Sequence, residues 1–147
     1  MNDPGIINDF RGPFRWLSNF EMCPVMFEGD IFPSSEHAYQ AAKCTNRPDR
    51  GIFTLGTCAE ARKRGNNVPL RYGWDEMRLW VMETILRDKF TRNPQLGKKL
   101  ILTGRIWLAE RNTWGDCFWG IYNGAGSNHL GELLMLIRND LQAIAMP

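Results

Sequence analysis

The sequence lacks the paired cysteines and histidine clusters that build disulfides and metal sites. Its four cysteines stand singly, without CxxC spacing: Cys23, Cys44, Cys58 and Cys117. Only His37 and His129 accompany them. Isolated cysteines in a chain without a secretion signal are typical of reduced thiols in the cytoplasm. The sequence therefore predicts a cytoplasmic protein with free thiols, and we expect no metal and no other cofactor.

The chain also lacks long apolar runs and a strong excess of charge. Residues 1–10 have neither the basic start nor the apolar core of a signal peptide, and no stretch reaches the ~20 apolar residues of a membrane span. The 18 basic and 16 acidic side chains leave a net charge of +2, too small for a dedicated nucleic-acid binder. We expect no membrane partner, and the sequence leaves the oligomeric state open.

Large aromatic side chains, in contrast, are plentiful. Eight Phe, six Trp and three Tyr occur in 147 residues, the length of one ordinary domain. Such rings usually build a core, and the alternative is a platform that stacks a base. Hydrophobic residues make up 44% and charged residues 23% of the chain, which is typical of a globular protein. The sequence predicts a single domain over residues 1–147.

Hydrophobic periodicity and capping signals predict a mainly helical α+β fold. A short hairpin over residues 24–32 should close around Gly29 and end at Pro33, because proline cannot donate to a strand ladder. Helices are predicted over residues 34–44, 57–64, 75–91, 93–102 and 129–143, and a strand over residues 106–109. The helix over 75–91 is apolar on several sides, so we expect it to be central. The fold class is α+β with a small β-sheet or hairpin.

The first segment that packing does not readily explain lies in the helix over residues 34–44. Glu36, Gln40 and Lys43 are spaced i, i+4 and i+7, so they share one helix face. This face is either a solvated polar stripe or the wall of a pocket in which Lys43 attacks a sugar carbonyl. The second role requires burial or a cationic neighbour that lowers the pKa of the amine. We expect His37, on another face, to be a packing histidine.

Two further segments contain candidate binding residues. Residues 116–120 and 124–128 form a glycine-rich stretch before the last helix, whose free N–H groups would suit phosphate. The stretch is not a GxGxxG motif after a strand, and a plain connecting loop is the alternative. Asn128 would cap the helix and contact the ligand. In residues 16–20, Ser18 and Asn19 lie between aromatic residues, which suits either a ring-binding site or a packed turn.

Taken in order, these segments resemble the YbiA-like/NADAR family over residues 9–141. The matching pieces are residues 17–20, 24–25 with Gly29, 33–40 with Lys43, 61–62 with Gly65, 69–71 with Trp74, 81–83, 89–90, 102–104 with Leu108 and Glu110, Asp116 with 119–120, and residues 124, 126, 128, 130–131, 134–135 and 137–138. Family members often have an arginine after the glycine at position 65, where this chain has Asn66 and Asn67. If that arginine binds phosphate or base in relatives, the contact is missing here or is made by Arg62, Arg64 or Arg71.

The resemblance implies a compact, mainly helical α+β domain that cleaves the bond between a base nitrogen and ribose C1. It implies ADP-ribose or a ribose phosphate as the small-molecule substrate, most specifically ADP-ribose attached to guanine. Phosphorylated riboflavin-pathway intermediates are the alternative substrate. A non-catalytic ADP-ribose-binding module is an alternative of another class. ADP-ribosylated DNA or RNA is a further candidate partner.

With the resemblance, we expect Lys43 to be the nucleophile and Glu36 to hold a ribose hydroxyl or move protons. We expect Asp116 to be a second carboxylate, which stabilises the positive charge that develops on the sugar. Glu110 is a weaker candidate for either carboxylate role. The remaining expected ligand-binding residues are Ser18, Asn19, Phe20, Tyr39, Gln40, Trp119, Gly120, Gly124, Gly126 and Asn128. Among these, Phe20, Tyr39 or Trp119 would stack the base or adenine, and the loop from Gly124 to Asn128 would hold phosphate.

Overall fold

The computed structural model describes residues 5–146 and contains the predicted α and β elements. The strands are β1 (Ile6–Ile7), β2 (Met22–Phe27), β3 (Asp30–Ser34) and β4 (Trp107–Leu108). The α-helices are α1 (Ser35–Ala42), α2 (Cys58–Gly65), α3 (Trp74–Arg92), α4 (Pro94–Leu102) and α5 (His129–Ala145). Two 3-10 helices, Gly12–Leu17 and Arg47–Thr54, were not predicted. Among the described helices, none combines the length and apolar composition needed to cross a membrane.

The described residues divide into two compact units, one of residues 5–18 and 94–146 and the other of residues 19–93. The second unit begins with the antiparallel hairpin of β2 and β3. Glu28 and Gly29 at its turn both have positive φ, 46° and 89°, the geometry that matches the twist of a two-residue hairpin turn. The expectation that Pro33 ends the hairpin is wrong, because β3 continues to Ser34, which pairs with Met22. The register shifts between Met22 and Val25, opposite the proline that cannot donate to the ladder.

Helix α1, and not α3, is the central helix of this unit. All eight residues of α1 are buried, and it contacts β2, β3, α2, α3 and the 3-10 helix Arg47–Thr54. Helix α3 is longer, but Leu79 and Trp80 on its surface are exposed. Apolar residues on several sides of a helix therefore did not predict centrality here. The short helix is buried because its polar side chains find partners inside the unit.

The two helices beside the hairpin begin with the caps that the sequence predicts. The Ser34 hydroxyl accepts the N–H of His37 at 3.1 Å and so caps α1. At α2 the Thr57 hydroxyl accepts the N–H of Glu60, and the Glu60 carboxylate accepts the N–H of Thr57, both at 3.1 Å. This capping box is confirmed. The caps fix where each helix starts, and hence which face its side chains occupy.

The other unit is built from α4, α5 and a parallel pair of short strands. Strand β1 pairs with β4, with Ile6 opposite Trp107 and Ile7 opposite Leu108. The buried guanidinium of Arg138 in α5 donates to the Thr103 hydroxyl and to the Ile106 carbonyl. These bonds tie α5 to the turn between α4 and β4. The core of this unit contains Leu100, Leu108, Leu130, Leu134 and Ile137.

Candidate active site

The face of α1 that carries Glu36, Gln40 and Lys43 is an inner surface of the unit of residues 19–93. Glu36 and Gln40 are buried and Lys43 is half-buried, so the solvated-stripe interpretation is wrong. The N–H of Glu36 donates to the Asn19 carbonyl at 3.0 Å, and the Ser35 hydroxyl donates to the same oxygen. Asn19 therefore anchors the start of α1 with its backbone. The fixed first turn sets the position of the Glu36 side chain.

The Glu36 carboxylate is held by two donors on one oxygen. Gln40 Nε2 donates to Glu36 Oε1 at 2.9 Å, and Arg62 Nε donates to the same oxygen at 3.1 Å. The Glu36 side chain is only 4% exposed, whereas that of Arg62 is 44% exposed. A buried carboxylate needs such partners, because an unpaired buried charge is costly. Among the described residues, none donates a hydrogen bond to Glu36 Oε2.

Lys43 follows the last residue of α1, and its amine has a perturbed environment. Burial lowers the pKa of the Lys43 amine below its ordinary value, the Glu36 carboxylate opposes this shift, and the Arg62 guanidinium adds to it. Its Nζ lies 5.7 Å from the centroid of the Tyr39 ring. The backbone is fixed as well, because the Lys43 carbonyl accepts the N–H of Arg71 at 2.8 Å. The result is a half-buried amine with a larger neutral fraction than a surface lysine.

Two of the rings expected to stack a base already have neighbours on the protein. Tyr39 is buried, and its ring lies 5.4 Å from that of Trp74 in addition to the Lys43 amine. The Arg62 guanidinium lies 4.6 Å from the centroid of the Phe20 ring. These contacts favour a supporting role for both rings, in which Tyr39 packs against the lysine and Phe20 against the arginine.

Arg62 is the residue of this cluster that sequence reasoning missed as a site residue. From the sequence it is only one of three candidates to replace the arginine that relatives often have after the glycine at position 65. The matching Ala61-Arg62 with Gly65 was a usable signal, because it places the arginine one turn before a glycine. Gly65 lets α2 approach α1, since a Cβ at this position would collide with the Gln40 side chain. Gln40 Oε1 is buried without a hydrogen-bond partner among the described residues.

Arg64 and Arg71, the other candidates for the contact missing at Asn66 and Asn67, have structural partners. Arg64 Nη1 donates to the Leu55 carbonyl at 2.9 Å, and Arg71 Nη1 donates to the Glu28 carboxylate at 3.0 Å. A cavity of about 440 Å³ beside β3 includes Arg47 and Arg50 in its lining, but not Glu36 or Lys43. Arg47 makes two bonds to Asp30, and the buried Arg50 bonds to the Cys44 carbonyl and pairs with Glu28. These arginines stabilise loops, and their pairing disfavours a phosphate role.

His37 is a packing residue, as expected. Its Nδ1 lies 2.6 Å from the Ser34 hydroxyl and its Nε2 lies 2.9 Å from the Gly56 carbonyl, with the whole residue buried. The carbonyl requires a donor, so Nε2 carries a proton. The imidazole thus links the start of α1 to the loop before α2. Within residues 5–146, no group of three His, Cys, Asp or Glu could hold a metal ion.

In the unit that contains α5, the start of this helix is closed by its own preceding loop. The N–H groups of Asn128, His129 and Leu130 donate to the carbonyls of Gly120, Phe118 and Trp119 at 3.3, 3.1 and 3.0 Å. These are the N–H groups that we expected to face phosphate. The expected cradle is therefore filled by backbone oxygens, and the helix start offers a ligand much less than the glycine-rich sequence suggests.

Asn128 and Asp116 both bond within this loop region. The buried Asn128 amide accepts the N–H of Glu110 and donates to the Leu108 carbonyl, at 3.1 and 3.0 Å. The expectation that its side chain caps α5 is wrong, because the amide bonds to the segment after β4 instead. Asp116 Oδ1 accepts the N–H groups of Phe118 and Trp119. The Asn128 amide and the Asp116 carboxylate were expected to contact a ligand, and both instead bond within the loop region.

The remaining predicted residues of this unit occupy turns and close contacts. A Cβ at Gly120 would collide with the Glu110 carbonyl, and one at Gly126 with the Gly120 carbonyl, so both glycines permit close chain packing. Gly124 lies in the exposed turn between Tyr122 and Ala125, with φ of 77°. The Trp119 ring packs at right angles on Phe118. Ser18 ends the first 3-10 helix and donates its N–H to Arg15.

The geometry on α1 can support covalent chemistry at a carbonyl-like carbon. An amine with a lowered pKa can be a nucleophile, and a carboxylate with one oxygen open can bind a hydroxyl or move a proton. A sugar C1 that loses its nitrogen substituent presents such a carbon. The arrangement is therefore compatible with cleavage of an N-glycosidic bond.

Comparison with known proteins identifies the family. The NADAR domain matches residues 8–142. The N-glycosidase YbiA of Shigella flexneri is 37% identical over 129 residues, which cover 85% of this chain and 80% of that protein. An N-glycosidase of Nostoc punctiforme is 32% identical over 88% of this chain and 87% of its own length. A riboflavin biosynthesis protein of Vibrio vulnificus is 36% identical over 86% of this chain, which spans only 35% of that protein.

A solved structure has the same fold. The NMR structure of YbiA from E. coli superposes with a TM-score of 0.85 at 32% sequence identity, covering 98% of this chain and 88% of that one. The predicted mainly helical α+β class is confirmed. The family match and the named relatives set aside a non-catalytic binding module as the alternative class. The chain belongs to the NADAR family and is a hydrolase of the N-glycosidase class.

Proposed function

We propose that the chain hydrolyses the bond between a base nitrogen and C1 of a phosphate-bearing ribose, with Lys43 as the nucleophile. The observation that carries this proposal is the pairing on one helix face of a half-buried amine of lowered pKa with a buried carboxylate. The lowered pKa gives the Lys43 amine a larger neutral fraction, the form that can attack carbon, than an ordinary surface lysine has.

In the proposed reaction, the neutral Lys43 amine forms a bond to C1 as the bond from C1 to the base nitrogen breaks. One amine proton is transferred to the departing base. The second is transferred to the ring oxygen as the sugar opens, which leaves a C1–Nζ double bond. Water then adds to this Schiff base, and its hydrolysis returns the free amine and the sugar aldehyde, which closes to the ring form.

Glu36 is the carboxylate that we assign to this reaction. Its Oε1 is held by Gln40 and Arg62, and its Oε2 is left for a ribose hydroxyl or for a proton in transit. The second carboxylate role stays a prediction for Asp116, whose Oδ1 is engaged by the loop, and a weaker one for Glu110. Trp119 and the loop from Gly124 to Asn128 likewise stay predicted ligand contacts, supported by the family resemblance alone.

Two substrates suit this chemistry, and different observations support them. ADP-ribose attached to guanine, as a small molecule or on DNA or RNA, is supported by the likeness to the NADAR branch over residues 8–142. A phosphorylated riboflavin-pathway intermediate is supported by the name of the relative from Vibrio vulnificus. The second needs only a monophosphate pocket. Backbone carbonyls already accept the first N–H groups of α5, which favours the substrate with the smaller phosphate group.

The test is a direct comparison of the two substrate types. Purified protein is incubated with each, and chromatography follows the release of free base against the substrate alone. We expect release from at least one of them, with ADP-ribosylated guanine as the first choice. Release from the riboflavin intermediate alone would reverse that order. No release from either, by protein with a normal melting transition, would contradict the proposal.

A further inference from the structure

Arg62 connects the carboxylate of the candidate site to an aromatic ring on another segment. Its Nε donates to Glu36 Oε1 at 3.1 Å, the oxygen that also accepts Gln40 Nε2 at 2.9 Å. Its guanidinium lies 4.6 Å from the centroid of the Phe20 ring, a distance at which the cation is attracted to the ring face. The guanidinium is thus held from two sides while the side chain remains 44% exposed.

The use of a single carboxylate oxygen has a geometric consequence. With both donors on Oε1, rotation of the Glu36 carboxyl group would break at least one of these bonds. Among the described residues, none donates to Oε2, so this oxygen keeps its capacity to accept a hydrogen bond. A bond to a charged guanidinium is also stronger than a bond between neutral groups.

The charged groups around Lys43 act on its amine in opposite directions. Glu36 on α1 favours the ammonium form and Arg62 on α2 disfavours it. The charged side chains of neighbouring segments are paired elsewhere: Arg50 and Arg71 bind Glu28. On α3, the uncharged ring of Trp74 lies 5.4 Å from that of Tyr39. Arg62 is therefore the cation that offsets the attraction of Glu36 for a proton on Lys43.

We infer that Arg62 is a positioning residue of this site, which holds Glu36 by one oxygen so that the other meets the substrate, and which keeps the Lys43 amine available for attack. This inference rests on the proposed role of Lys43 as nucleophile. It predicts that loss of the Arg62 charge both loosens the carboxylate and favours protonation of the amine.

The experiment measures the titration of Lys43 independently of turnover. Lysines are methylated with ¹³C-formaldehyde and a reductant, and the methyl signals are followed by NMR as pH is raised. The signal of Lys43 is identified by its loss in Lys43→Arg. The comparison includes wild type, Arg62→Gln, Arg62→Lys and Lys63→Gln. Lys63 is an exposed neighbour on the same helix, so its substitution removes one charge without touching Glu36.

In Arg62→Gln we expect the Lys43 signal to titrate at higher pH and the acid limb of the kcat/KM profile to move the same way. At neutral pH, kcat/KM should fall by roughly tenfold or more. Arg62→Lys should restore most of the titration, and Lys63→Gln should match wild type. Arg62→Met replaces Arg62→Gln if the latter does not fold.

An unchanged Lys43 titration in the folded, neutral Arg62 variants would overturn the inference. An equal shift in Lys63→Gln would also overturn it, because the effect would then be one of net charge. Failure of the proposed function is distinguishable from failure of this inference. In that case, borohydride added to wild-type protein during turnover would trap no sugar on Lys43, whatever the titration shows.

Discussion

Lys89 on α3 places an amine in the interior of the unit of residues 19–93. The residue is completely buried, and burial lowers its pKa to about 8 from the ordinary 10.5, against the opposing effect of Cys23, Glu21 and Cys58. Between these two pKa values the unfolded chain binds a proton that the folded chain does not. Stability from this group is therefore fully present above pH 10.5 and is lost as pH falls towards 8. The loss amounts to about 3 kcal/mol at most.

Lys89→Met should remove this part of the pH dependence. Urea unfolding of the variant between pH 8 and pH 10.5 should show a flatter rise of stability than wild type. The slope with pH is the readout, because the substitution also changes packing and therefore the absolute stability. Lys63→Met, at an exposed lysine, should retain the wild-type slope. A wild-type slope in Lys89→Met would show that the buried amine does not titrate as described.

The spacing of Glu36, Gln40 and Lys43 was enough to predict that they share a helix face. It could not predict that the face is buried, because burial depends on the approach of α2, which Gly65 permits. The contact between Arg62 and Glu36 joins positions 26 residues apart, and no periodic pattern links them. Only the family resemblance marked Ala61-Arg62 as a matching piece. Local chemistry was thus predictable at this site and its long-range partner was not.

At the scale of elements, the loop before α5 shows where composition misleads. Glycines and a helix start predict an anion site, and the same features allow a loop to fold back onto its own helix. Here the carbonyls of residues 118–120 accept the N–H groups of the first turn. The sequence contains no signal for this choice, because it depends on close approaches of the backbone at Gly120 and Gly126, where a Cβ would collide with a carbonyl.

Asn128→Ala should therefore act mainly on stability. The substitution leaves the Glu110 N–H and the Leu108 carbonyl without their partner, which should cost about 2 kcal/mol or more. The neighbouring Ser127→Ala, at an exposed side chain, should stay within about 0.5 kcal/mol of wild type. Chemical unfolding measures both. A stable Asn128→Ala protein with selectively weakened ligand binding would contradict this expectation and support the prediction that Asn128 contacts phosphate.

Sequence patterns predict some of the elements and miss others. Helices with caps and a sustained apolar stripe were found, and α2 begins at the predicted capping box. The 3-10 helices Gly12–Leu17 and Arg47–Thr54 were missed, because each begins near a proline and lacks the side-chain cap by which α1 and α2 were predicted. The second of these packs on α1, so the missed element is one that helps to bury the site helix.

For the whole molecule, the family match spans both compact units, while the substrate remains a proposal. A family resemblance predicts the reaction class from motifs, whereas the size of the phosphate-bearing group depends on loop conformations. We expect the protein to bind free ADP-ribose if ADP-ribosylated guanine is its substrate. Isothermal titration calorimetry and a thermal-shift assay measure this, with ribose 5-phosphate as the matched control. No heat and no shift at ~1 mM ADP-ribose would favour the monophosphate substrate. A Kd of ~1 mM corresponds to a binding free energy of about −4 kcal/mol.

The central claim is that Lys43 forms a covalent bond with C1 of the sugar. Borohydride added during turnover should reduce the Schiff base to a stable secondary amine, and mass spectrometry of a digest should locate the sugar on Lys43 rather than on Lys63, Lys89, Lys98 or Lys99. Lys43→Arg keeps a positive charge but has no nucleophilic amine at neutral pH, so it should bind ligand, form no adduct and lose turnover by at least about 100-fold. Full activity of Lys43→Arg, or an adduct located on another lysine, would contradict the mechanism.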